Sequence, residues 1–459
     1  MPVALSHLLE RFFCIAEGLQ IFLRPIINTN TLLAMTRSNP PQTLIPKRYV
    51  FPQVANSFQG KFTRLGFRLF FGKTPKPSAK RVDEFAHYHM ASDELADQVV
   101  DELFKQMHPR DGRQLLAKAV EQGLEALDTE AVGIPNKFRE LLQQAETLPA
   151  WYNHEKIELA YHVVHRCGRF GMYALGDFAL LGGYSNSDIS KPLAFTGALN
   201  GSSSFDRVSE TTSLWLDVTE PSGLQRGAKG YQSAVKVRVM HALIRQKLNQ
   251  HPEWQNEEWG LPINSADAVA TNVGFSMVML LGCKMIGMRF TDEETEAVLH
   301  LWKYIGYLMG DPADWLPETA QEGVDALYLI ALANRIQPDE DSIELARSYL
   351  ESFKEVDEPD TLLPKGWYKR GLYYFHRAYA AYFIPLHIYR ALKLPFAWGT
   401  QLLVLAQMPY VFCMETLYRL SPSMRLAREK RGRKGQEYIV NSRLQGREVT
   451  YQEKQQMAK

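Results

Sequence analysis

The sequence predicts an all-α protein with one large helical domain. Three observations carry this. From about Val82 onward, apolar residues recur at helical spacing in one segment after another. Alternating apolar and polar runs long enough for a sheet are absent. Helix-start signals recur as well: Pro135 in a first-turn position, and Thr291-Asp292-Glu293-Glu294 as a capping box.

Taken in order, Met1 to Ile27 reads as an amphipathic helix, because Glu10, Arg11, Glu17 and Arg24 interrupt its apolar run. The same charges argue against a secretory leader. Pro40, Pro41, Pro46, Pro52, Pro75 and Pro77 then predict an extended arm over 28–80. Helices are expected to begin at Asp93 to Val100, Gly112 to Ala117 and Pro135 to Leu142. His154 to Leu181 is apolar on most sides and should be central. Lys191 to Leu199 is short, and Val208 to Val218 is a helix start or loop–helix junction. Gln232 to Asn249, Ala266 to Met288, Thr291 to Met309, Thr319 to Asn334, Asp339 to Phe353 and Gly371 to Leu392 complete a core domain spanning 81–420. Residues 421–459 read as a basic polar tail. Leu394 to Met414 carries no charge and is just long enough to span a bilayer. A buried helix pair is its first reading; an interface-lying segment and a true span are the alternatives.

A net charge of +1 argues against a nucleic-acid binder, which needs a basic surface. Cys14, Cys167, Cys283 and Cys413 are scattered without a CxxC pair, as expected for reduced thiols in a cytoplasmic protein. There is no P-loop, no GxGxxG after a strand, no GxSxG and no HExxH, so hydrolase, kinase and nicotinamide chemistries lack support. His162 with His165, and His87 with His89, lack a third ligand at matching spacing.

The segment Val237 to Arg245 carries Arg238, His241 and Arg245 at helical spacing, beside apolar Val237, Met240 and Ile244. One imidazole between two guanidinium groups suits a flat, apolar, dianionic ligand that brings a metal, as haem does. A satisfied core histidine is the alternative. Four residues apart, Arg207 and Thr211 would share a helix face, with Glu210 beside them; a surface arginine and a capping threonine are the plainer reading.

In order and spacing, several pieces together resemble the latex clearing protein (rubber oxygenase) and MpaB-type oxygenase family. They are Leu148-Pro149-Ala150-Trp151, Arg207 to Thr211, Arg238 to Arg245, Trp259 to Asn264 and Leu301 to Gly310. The resemblance implies a helical b-type haem protein that oxidises or cleaves at a carbon–carbon double bond of an isoprenoid or lipid-like chain, using dioxygen. It implies His241 as the iron ligand, Arg238 and Arg245 as propionate partners, and Arg207 and Thr211 as distal polar groups, with Glu210 as an acid/base. Rubber oxygenases can carry Lys where this chain has Glu210. They also place a Glu upstream where this chain has Ser190-Lys191-Pro192, with Asp188 the nearest carboxylate. Those departures point away from latex and toward a smaller hydrophobic substrate met at a membrane surface. Peroxidase or peroxygenase use of the same haem, and a non-catalytic gas sensor, are the alternatives.

Overall fold

The computed structural model describes residues 44–127, 134–196, 201–356, 364, 366–395, 397 and 399–444, and of 126 and 201–206 only the backbone. Cys14, the expected first helix and the end of the tail lie outside the described residues. Among the described residues the protein is all helical; a single isolated bridge joins Tyr49 and Asn334.

The helices that position the candidate site begin with α1 (Phe58–Phe71), α2 (Glu94–Val100) and α3 (Asn136–Glu146). Central α4 (His154–Tyr173) runs on into a π-helical stretch, Ala174–Leu180. Next come α5 (Ser187–Phe195), α6 (Gly201–Val218) and α7 (Lys229–Asn249). The helix α8 (Ser265–Val273) continues through the π-turns of Gly274–Val278 into Met279–Met285. Beyond it lie α9 (Asp292–Met309), α10 (Ala320–Ala333), α11 (Glu340–Glu351), α12 (Trp367–Phe383), α13 (Gln401–Leu420) and α14 (Pro422–Leu444).

Local chemistry explains the ends. The α9 capping box forms as the sequence suggests: Glu294 N donates to Thr291 Oγ1 at 3.0 Å, and Thr291 N to Glu294 Oε2 at 2.9 Å. Asn153 caps α4, its side chain accepting from Lys156 N. The Leu148–Trp151 motif pins this helix start to α9, since Trp151 sits edge-on to His300 at 5.6 Å and Asn153 N donates to His300 Nε2 at 2.9 Å.

Two segments differ from expectation. The arm over 28–80 is not extended where it is described. Pro52 sits in the first turn of a short helix, and Ser57 caps α1; between Gln53 and Thr74 there is no proline to interrupt it. Phe67 of α1 meets Tyr328 of α10 edge-on at 5.8 Å. Nor is the basic tail a solvated one through Leu444. The α14 helix packs along α4, burying Glu429, Gly432, Gly435, Gln436, Val440 and Arg443. Its apolar and small residues form a helical stripe that the charge run disguises. At the crossing, Gly168 adopts φ 52°, which breaks the helical geometry of α4, and a Cβ on Gly432 would lie 1.9 Å from the His165 carbonyl oxygen. Only glycine fits there.

The uncharged 394–414 stretch is not one helix. Its helical part starts at Gln401 and buries Val404, Met408 and Val411 while leaving Leu402, Leu403 and Tyr410 exposed. The described stretch that is long and apolar enough to cross a membrane is Ser265–Met285, and 56% of its apolar window is buried inside the bundle. The described cysteines are free thiols, with Cys167 and Cys283 buried.

Candidate active site

The three α7 residues that share a stripe in sequence part company in the fold. At about 100° per residue, Arg238 and Arg245 lie only about 20° apart around the helix, while His241 is rotated about 60° from Arg238, toward Val237 and Met240. The arginines therefore face α2. Arg238 forks onto Asp93, with Nε–Oδ2 2.6 Å and Nη2–Oδ1 3.0 Å, and its Nη1 donates to Gln144 Oε1 at 3.0 Å. Arg245 holds Asp97 at 2.7 Å and the Ile263 carbonyl at 3.0 Å. Gly310, at φ 82°, ends α9 against the first pair: a Cβ there would lie 2.0 Å from Asp93 Oδ2. Arg238 and Arg245, which the resemblance implies as propionate partners, are each paired with an aspartate in this fold. Both guanidinium groups are buried, satisfied by aspartates, and away from the wall of the cavity described next.

His241 instead opens onto a cavity of about 1310 Å³, larger than the ~300–1,000 Å³ of an ordinary small-molecule pocket. Val237 and Met240 flank it, and Phe275, Trp302, Ile305 and Met309 from α8 and α9 add apolar wall. No hydrogen bond engages the His241 ring among the described residues. By contrast His89, His165, His300 and His376 all have partners. Burial, with the Arg245 charge behind it, pushes the His241 imidazole down to about 4. Burial thus favours the neutral ring, which lines the cavity. No group of three or more His, Cys, Asp or Glu side chains that could cage a metal occurs among the described residues.

The α6 residues meet His241 in the same cavity: Arg207, Glu210 and Thr211 all reach its wall. Arg207 Nη2 donates to the Thr196 carbonyl at 3.1 Å and to Thr196 Oγ1 at 2.9 Å. Burial lowers the Arg207 pKa, opposed by the Glu210 and Tyr184 charges. Asp188, the carboxylate nearest the departure at Ser190-Lys191-Pro192, is half-buried on α5 and pushed up to about 6 by desolvation, but it is not on the cavity wall.

Sequence reasoning missed Asp311. It lines the cavity one residue past Gly310, and burial raises its carboxyl from 3.8 to about 7 against a hydrogen bond from Asn272. Its position at the end of the Leu301 to Gly310 motif was the available signal. Between about pH 4 and 7 the folded chain holds a proton here that the unfolded chain has released. This stabilisation is complete below about pH 4 and is lost as pH rises through 7. Asp311→Asn is therefore expected to gain stability relative to wild type from pH 5 to pH 8, by roughly 2–3 kcal/mol. Urea denaturation at both pH values measures it. An equal difference at the two would show that Asp311 has an ordinary pKa.

Comparison with known proteins places this arrangement. A rubber oxygenase from Streptomyces sp. (strain K30) is 25% identical over 191 residues, covering 41% of this chain and 46% of that protein. The chain thus matches less than half of that relative's length. The structure of latex clearing protein LCP in the closed state superposes with a TM-score of 0.59 at 20% identity, covering 79% of this chain and 94% of that one, which shows a shared fold. Residues 165–412, which include Arg207, Glu210, Thr211 and His241, match the family described as ER-bound oxygenase mpaB/B'/Rubber oxygenase, catalytic domain. With more than half of its length in that match, the chain belongs to this oxidoreductase family.

Proposed function

We propose that the protein is a haem-b-dependent oxygenase acting on a hydrophobic, isoprenoid or lipid-like chain at a carbon–carbon double bond. The observation that carries this is a neutral, unengaged imidazole, His241, on the wall of a large apolar cavity. A lone ligand of this kind suits a metal that arrives in its own macrocycle, because no cage of three protein ligands accompanies it among the described residues. Bound haem would supply the iron that activates dioxygen.

The chain's own residues then have distinct tasks. His241 would hold the iron. The apolar wall excludes water and aligns the hydrocarbon chain. Arg207, fixed by Thr196, presents a cation to negative charge that develops on oxygen. Thr211 offers a hydroxyl, and Glu210 a carboxylate that can take or return a proton. Arg207→Ala is expected to retain haem and to lose turnover by about 10²–10³-fold. Loss of haem together with activity would place Arg207 in the structural shell.

Two helices at the cavity wall support entry from a membrane surface. α1 exposes Phe58, Leu65 and Leu69 beside Lys61, Arg64 and Arg68, and α13 exposes Leu402, Leu403, Tyr410 and Leu420. Both helices contribute cavity wall, α1 through Phe62, Phe67 and Phe70 and α13 through Leu402, Leu405 and Met408. Apolar residues interleaved with basic ones suit the boundary of an anionic bilayer.

The test is oxygen uptake and carbonyl-product analysis under air, with either short membrane-dissolved isoprenoids or polyisoprene latex. Turnover of the short chains is expected. Rapid cleavage of latex with none of the short chains would overturn the substrate assignment and show that Glu210 and Lys191 do not matter.

A further inference from the structure

A second polar site stands in the wall of the same cavity. Asp177 lies in the π-helical stretch after α4 and is fully buried. Its carboxylate accepts from His376 Nδ1 of α12 at 2.8 Å (Oδ2) and 3.1 Å (Oδ1), and from the Tyr349 hydroxyl of α11 at 2.8 Å. Burial, with Asp177 next to it, holds the Tyr349 phenol well above its usual range, so it stays a donor. The Arg443 guanidinium of α14 acts electrostatically on Asp177 and Tyr349, so the aspartate has a counter-charge. The His376 ring is fixed by stacking on Phe353, 3.6 Å between centroids. His376, Tyr349 and Arg443 all line the cavity.

This arrangement leaves one atom unused. Because a carboxylate only accepts, Nδ1 is the donor to Asp177, and in the neutral ring Nε2 is the acceptor. Nε2 makes no hydrogen bond with any described residue. Asp177 and Phe353 orient the ring, yet no described residue takes this atom. A carboxylate on Nδ1 that leaves Nε2 directed at a ligand is the usual device for fixing an imidazole's tautomer.

We propose that His376, oriented by Asp177, is a binding site separate from His241 that receives the hydroxyl end of an otherwise apolar chain on its Nε2. The proposal rests on the reading that the cavity holds an apolar chain. It adds that the ligand is amphiphilic, with an O–H donor at one end. A site built to accept a hydroxyl discriminates against an analogue that lacks the donor, because the buried acceptor is then left unmatched.

Calorimetric titration of the purified full-length protein with decan-1-ol and with methyl decyl ether tests this. Both probes share an alkyl chain, both carry an ether or hydroxyl oxygen, and neither has a double bond to be oxidised. The alcohol is expected to bind about tenfold more tightly. His376→Asn should erase that preference, because its amide nitrogen can replace Nδ1 on Asp177 while nothing replaces Nε2. His376→Gln, whose side chain reaches the Nε2 position, should keep part of it. Equal affinities in wild type would overturn the site, whatever the variants do. So would a preference that survives His376→Asn. If neither probe binds wild type, the apolar-chain reading of the cavity fails, and this proposal with it.

Discussion

Replacing His241 with alanine is expected to reduce oxygen uptake to the uncatalysed baseline and to strip the protein of haem, while leaving its fold intact. The reason lies in what His241 does not do. Its ring makes no hydrogen bond among the described residues, and it faces open cavity. Truncation therefore orphans no buried partner, and the unfolding free energy of the haem-free protein should change by less than about 1 kcal/mol. Haem content and turnover, with thermal unfolding of both proteins prepared without haem, check this. Haem retained at the wild-type level would remove His241 from the iron.

The second large effect should be on stability. Arg238→Ala is expected to destabilise the protein by about 3–5 kcal/mol, because Asp93 would be left charged and nearly buried without its fork. That is a large part of an ordinary domain's margin of ~5–15 kcal/mol. Arg238→Lys should recover only part, since an ammonium cannot make the two parallel bonds and the third to Gln144. Haem per folded molecule should not change. Wild-type stability with weakened haem retention would instead restore the propionate role suggested by the sequence. Urea unfolding alongside a haem-transfer assay separates the two.

The contrast between these two neighbours shows what the sequence could and could not convey. Periodicity located α7 and put His241 on an apolar face; the capping pattern at Thr291 and Glu294 was local and formed as read. The partners of Arg238 and Arg245 were not legible, because Asp93 and Asp97 are 145 and 148 residues away along the chain. Without them, a 60° turn of helix was invisible, and three residues looked like one site. The Asp177–His376 pair spans 199 residues, so neither member carried a local signature. In α14, the basic residues concealed a buried stripe from Gly432 to Val440, and proline spacing concealed α1. Charge and proline report on what a segment exposes or forbids locally; packing of the opposite face is a tertiary fact.

The central claim is that this cavity holds haem b through His241. The visible absorption spectrum of the purified protein, supplied with haem during production, tests it most directly. The expected result is an intense Soret band at one haem per chain, lost on His241→Ala and retained in Arg207→Ala. A wild-type protein that is folded, haem-supplied and without a Soret band would contradict it.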